Sequence, residues 1–159
     1  MKTTNLKTAA ITALFGIGLL AGCTNSTTNQ KTSDMKTLNL TQEWDKTFPQ
    51  SDKVNHSKVT FTNRYGITLA ADMYVPKNAT GKLPAIAVCG PFGAVKEQAA
   101  GLYAQTMAER GFLTVAFDPS YTGESGGEPR YVVSPDINTE DFSAAVDFLA
   151  TNDKVDPEQ

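Results

Sequence analysis

The sequence predicts an α/β domain with parallel central strands, and three observations carry that prediction. Two short apolar runs, "LPAIAVCG" and "FLTVAFD", have the length and near-continuous hydrophobicity of strands buried on both faces. Between them, and again after the second, apolar residues recur at helical spacing. Upstream, two strand-like segments flank a glycine turn. The order hairpin, strand, helix, strand, helix fits an α/β layer structure, because parallel neighbours need a helical crossover.

The elements follow in chain order. Residues 1–22 read as a signal peptide: Lys2 and Lys7 precede "AAITALFGIGLL", an apolar run too short to span a bilayer as a stable helix. The run closes on Leu20-Ala21-Gly22-Cys23, which resembles the bacterial lipobox. That resemblance implies cleavage before Cys23, lipidation of its sulfur and a membrane-anchored protein of the bacterial cell envelope. With Thr24 following, it implies the outer membrane, facing the periplasm, in a two-membrane bacterium; otherwise the outer face of the cytoplasmic membrane is implied. Residues 23–45 begin "CTNSTTNQKTSD", are poor in apolar groups at first, and read as a flexible tether. The folded domain is expected over residues 46–159.

Within it, "SKVTFTN" and "ITLAADMYV" flank Arg64-Tyr65-Gly66 as a hairpin. "LPAIAVCG" is the first buried strand. A helix is expected from Lys96 to Arg110 with Ala100, Tyr103, Ala104, Met107 and Ala108 on its apolar face and Gly111 as its stop. "FLTVAFD" is the second buried strand, ending at Asp118. After a loop rich in Gly, Ser and Pro, Asn138 is expected to cap a second helix. Glu140 and Asp141 would lie in its first turn, and Phe142, Ala145, Val146 and Leu149 would form its stripe.

With 40% hydrophobic residues, 19% charged residues and a net charge of −3, the chain suits one soluble domain and argues against a nucleic-acid surface. No Cys/His cluster suggests a metal, and no motif suggests a cofactor. "GESGG" lacks the Lys-Ser/Thr ending and strand-to-helix placement of a phosphate loop.

The same five residues, Gly123 to Gly127, spell G-x-S-x-G, the pattern around a hydrolase serine. A nucleophile elbow needs a strand running directly into the motif and a helix leaving it. Here residues 118–122 intervene before it, and Gly126-Gly127-Glu128-Pro129 follows, so Ser125 reads as a loop residue. The single histidine, His56, lies upstream at the start of the first strand and reads as a surface or turn residue. Cys89 ends a buried strand without a titratable neighbour in sequence to lower its pKa, and reads as packing. With Cys23 lipidated, it has no disulfide partner.

The segment from "PAIAVCGPFGAVKEQ" through "AFDPSYTGESGGEPR" to "VDPEQ" resembles α/β hydrolases of the dienelactone-hydrolase-like or carboxylesterase-like kind. The resemblance implies that this is the N-terminal part of such a fold, ending before the nucleophile-elbow strand. Phe92 and Gly93 become the candidate oxyanion-hole donors, since Pro91 has no N–H. No catalytic residue is expected in this chain; nucleophile, acid and histidine would lie beyond Gln159. The implied function is a fragment of a lipid-anchored hydrolase of carboxylic esters or similar acyl compounds, inactive as it stands. A small ester substrate is expected only of the complete protein. The alternative is a non-catalytic lipoprotein binding module. An unpaired central strand would expose an apolar edge, so the isolated chain is expected to fold poorly or aggregate.

Overall fold

A computed structural model describes residues 37–159; the expected signal peptide, Cys23 and most of the expected tether lie outside the described residues. Six elements form the domain: β1 (Val54–Thr62), β2 (Thr68–Pro76), β3 (Ala85–Cys89), α1 (Ala99–Ala108), β4 (Leu113–Phe117) and α2 (Pro135–Ala150). The α/β class and the element order are those expected. The sheet order is β1-β2-β4-β3, antiparallel except for the parallel β3–β4 pair joined through α1. Among the described residues no helix is long and apolar enough to cross a membrane.

The hairpin turns at Asn63–Gly66. Gly66 takes φ +76°, its N–H bonds Asn63 O at 3.0 Å, and Asn63 Oδ1 accepts the N–H groups of Tyr65 and Ile67. β2 and β4 occupy the middle of the sheet and are buried on both faces, which is why their sequences are nearly unbroken apolar runs. β3 differs from expectation: all five of its residues are only half-buried. It is the outer strand among the described residues, and next to it only Leu83 pairs onward, in a parallel bridge to Val155.

Both helices depart from the expected faces. α1 buries Ala100, Gly101, Ala104, Gln105 and Ala108, while Tyr103 is exposed. Small residues let the helix pack closely on its surroundings; a Cβ on Gly101 would stand 2.3 Å from Lys96 O and 3.0 Å from the Phe48 ring. Gln105 is buried because its amide accepts from Ser51 N at 3.0 Å and donates to Pro49 O at 3.1 Å. The helix begins at Ala99 rather than Lys96, because residues 95–98 form a turn closed by Gln98 N to Val95 O.

α2 begins at Pro135 with Ser134 as its cap residue, four positions earlier than the Asn138 cap expected; proline suits the first turn, where its missing N–H costs nothing. Asn138 N instead donates to Ser134 O as an ordinary helical bond. Ala145 and Leu149 are buried as expected, but Phe142 and Val146 are exposed, and Glu140 and Asp141 turn inward. The inward turn has a cause: Asp141 accepts from Asn63 Nδ2, Ser120 Oγ and Ser120 N at 2.7–2.8 Å, and Glu140 pairs with Arg64.

Candidate functional site

Ligands of open α/β sheets gather beyond the carboxyl ends of parallel strands. Here β3 and β4 end side by side at Cys89 and Phe117, and the loops that leave them wall a cavity of about 220 Å³. Cys89 and Gly90 to Gly93 form one wall. Phe117, Pro119 and Thr122 form the other, and Phe142 and Val133 contribute from the α2 side. A second hollow of about 230 Å³ shares Phe92, Gly93 and Thr122 and adds Tyr131. Among the described residues neither is lined by a charged side chain.

The first loop is shaped by a turn from Pro91 to Ala94. Ala94 N donates to Pro91 O at 3.0 Å, and Gly93 takes φ +80°, a conformation that favours glycine. That closing bond uses neither the Phe92 nor the Gly93 N–H, and among the described residues no acceptor takes them. The Phe92 side chain is 83% exposed. Both candidate donors therefore sit at the rim of the cavity with their N–H groups uncommitted.

Ser125 is elsewhere in chemical terms. It is 2% exposed, its Oγ donates to Asp118 O at 2.6 Å, and it accepts from Ala70 N at 2.8 Å. The hydroxyl thus adds one rung to the β2–β4 ladder, and Gly126 N continues it to Thr68 O. A hydroxyl so committed is a structural group. Cys89 lines the cavity, but burial, followed by the charges of Asp118 and Asp141, pushes its thiol up to about 11, so it stays protonated near neutrality.

His56 is not the surface or turn residue expected. It lies within β1, its side chain is 15% exposed, and its Nε2 is 2.7 Å from Asp72 Oδ1. Its ring packs between Trp44 and Tyr74, with centroids 5.1 Å away on each side.

Sequence reasoning missed a network of three lysines and five carboxylates behind the cavity. Lys96 is fully buried; its Nζ bonds Asp118 Oδ2 at 2.9 Å and Glu124 Oε2 at 2.8 Å, and pairs with Glu97. Lys58 reaches Glu124 at 2.6 Å and Asp45 at 3.0 Å, and Lys46 pairs with Asp45 and Asp72. Burial opposes the charged forms of Asp45, Glu124, Lys58 and Lys96, yet the pairing outweighs it. The carboxyls of Asp45 and Glu124 are held at about 2 by hydrogen bonds from the lysines, and Lys58 and Lys96 are raised. Asp45, Glu97 and Glu124 bring carboxylate oxygens within 4.8 Å of one another, a spacing open to a metal ion. The Lys58 ammonium already supplies their counter-charge, at 3.0 Å from Asp45, 3.7 Å from Glu97 and 2.6 Å from Glu124. A signal for this network was present in the sequence: Asp118 directly ends a buried strand, where a charge needs a partner.

Comparison with known proteins places the chain. It is 68% identical over 145 residues to the uncharacterized protein PA2218 of Pseudomonas aeruginosa, covering 88% of this chain and 39% of that protein. The crystal structure of PA2218 superimposes with a TM-score of 0.74 over 75% of this chain and 37% of that one. The thiohydrolase aneE of Aspergillus aculeatus is 34% identical over 108 residues, 68% of this chain and 33% of that protein. The alpha/beta hydrolase GrgF from Penicillium sp. sh18 has a TM-score of 0.57 at 29% identity, over 64% of this chain and 34% of that one. The chain thus spans between a third and two fifths of the length of these relatives. Its strands and helices are those of part of an α/β-hydrolase fold. Residues 65–157, more than half of the sequence, match the X-Pro dipeptidyl-peptidase (S15) family, and the chain belongs to that family.

Proposed function

We propose that this chain supplies one half of an acyl-hydrolase site: the oxyanion loop and one wall of an apolar acyl pocket. Nucleophile, acid and histidine would come from residues outside these 159. The observation that carries the reading is the pair of uncommitted N–H groups, Phe92 and Gly93, on a turn at the carboxyl end of β3. In such a site the nucleophile adds to the carbonyl carbon, and the displaced π pair becomes an oxyanion that the two N–H groups stabilise. Collapse then expels an alkoxide or thiolate, which takes from the histidine the proton the nucleophile gave up; water, deprotonated by the same histidine, then releases the acid from the acyl-enzyme.

The family is named for a dipeptidyl-peptidase, so a peptide with a free N-terminus is the second candidate substrate. A site for that ammonium needs an acid at the pocket. Among the described residues the pocket is lined by Phe92, Phe117, Val133, Phe142 and the Cys89 thiol instead. This favours a neutral apolar acyl group carried as a carboxylic ester or thioester, in keeping with the thiohydrolase relative and with the dienelactone-hydrolase or carboxylesterase likeness. Lipidation of Cys23 would tether the protein to the membrane of the cell envelope.

The complete protein is expected to release p-nitrophenol from neutral acyl esters with a burst. It should act far more slowly on an Xaa-Pro p-nitroanilide and fractionate with membranes unless Cys23 is serine. Preference for the dipeptide anilide would sink the ester reading, and a soluble wild type would sink the anchor.

A further inference from the structure

We propose that Lys96 is a positioning residue for this site, its buried ammonium holding the loop of Phe92 and Gly93 in register with the loop that follows β4. The inference rests on the acyl-hydrolase reading above. Lys96 lies three residues after Gly93, in the loop between β3 and α1. One carboxylate joins the two loops through it. Asp118 Oδ1 accepts Lys96 N at 2.8 Å, while Asp118 Oδ2 accepts Lys96 Nζ at 2.9 Å and Glu124 N at 3.0 Å. The ammonium then reaches Glu124, on the loop after β4, at 2.8 Å.

The arrangement leaves no slack. A Cβ on Gly123 would fall 2.2 Å from Asp118 Oδ2, so the second loop closes on the carboxylate as tightly as backbone allows. On the outer side, Glu97 O accepts Thr47 N at 2.9 Å and Thr47 Oγ1 at 3.2 Å, which pins the segment next to Lys96.

Stability alone does not account for a lysine here. Well-packed apolar residues often match or exceed a buried ion pair in stability; the ion pair adds a defined geometry. Lys96 lines neither hollow, so any influence on the reaction passes through the loops. Oxyanion stabilisation is sensitive to such geometry, because donors displaced by about 1 Å lose much of their effect.

The test uses the complete protein and Lys96→Met, which keeps an unbranched chain and removes the charge. Two readouts are taken: ester hydrolysis per titrated active site, and hydrogen exchange of residues 90–98 and 118–127. We expect kcat to fall by about tenfold or more with KM within about twofold, as for a group that acts only in the transition state. Exchange in both loops should rise while β2 and β4 stay protected. Unchanged kcat per active site, with only a lower melting temperature, would overturn the proposal, and so would unchanged exchange in the loops. If Lys96→Met does not fold, Glu124→Gln removes one of the ammonium's partners; a smaller fall in kcat supports the proposal, and loosened loops with unchanged kcat overturn it. If the wild type hydrolyses no ester, the acyl-hydrolase reading fails. The catalytic part of this proposal then fails with it, and the exchange data separately report whether Lys96 holds the two loops.

Discussion

Replacing Asp118 by alanine is expected to lower the stability to unfolding by about 3–5 kcal/mol, the cost of breaking a buried ion pair from one side. The side chain is completely buried and is the acceptor for Lys96 N, Lys96 Nζ and Glu124 N. Alanine would strand two backbone N–H groups and leave a buried ammonium with fewer partners. Asparagine can still accept from one N–H but presents its amide to the lysine, so it should recover only a small part of the loss. Urea denaturation of the two variants in the complete protein tests this. In the Asp118→Ala background, Lys96→Met should cost far less than in the wild type, because the partner is already gone. A loss under about 1 kcal/mol for alanine would mean that the pair is no more than a surface-type contact.

The second large effect is expected in acid. Glu124 and Asp45 have folded-state pKa values of about 2, below the ordinary values of 4.5 and 3.8. A depressed carboxyl contributes stability that is fully present above its unfolded pKa and disappears as the pH falls through the folded one. Stability contributed by these two groups should therefore be flat down to about pH 5 and be lost between there and pH 2. Both hold residues 41–48 against the body: Glu124 accepts Thr41 N at 2.7 Å, and Asp45 is bound by Lys58. Trp44, the one tryptophan of these 159 residues, reports on this segment, since its ring meets Phe48 and His56 and its Nε1 donates to Phe48 O at 2.8 Å. Its emission should shift to the red within that acid window. A shift complete above pH 5 would point to a different titrating group.

What was legible in the sequence follows from the physics of each segment. β4 announces itself because a strand buried on both faces leaves little room for polar residues; the equally apolar β3 is only half-buried because it is the outer strand among the described residues. The hairpin is legible from Gly66, and the structural role of Ser125 from what flanks it. The helix faces were misread because they are decided by tertiary bonds rather than by hydrophobicity. Asp141 turns inward since Asn63 and Ser120, distant in sequence, bind its carboxylate. Phe142 consequently points to the cavity and solvent. The partnerships of His56 with Asp72 and of Lys96 with Asp118 are likewise long-range, and neither residue stands in a local motif. Phe92 and Gly93 became candidates only through the family resemblance of residues 90–93, with Pro91 set aside because it has no N–H.

The measurement that tests the account most directly is a crystal structure of the complete protein carrying a tetrahedral phosphonate on its nucleophile. The account predicts the phosphonyl oxygen at about 2.7–3.1 Å from Phe92 N, with Gly93 N as the neighbouring donor. The acyl substituent is expected in the hollow lined by Cys89, Phe117 and Phe142. A phosphonyl oxygen held by other donors, with the 90–93 turn facing away, would contradict it.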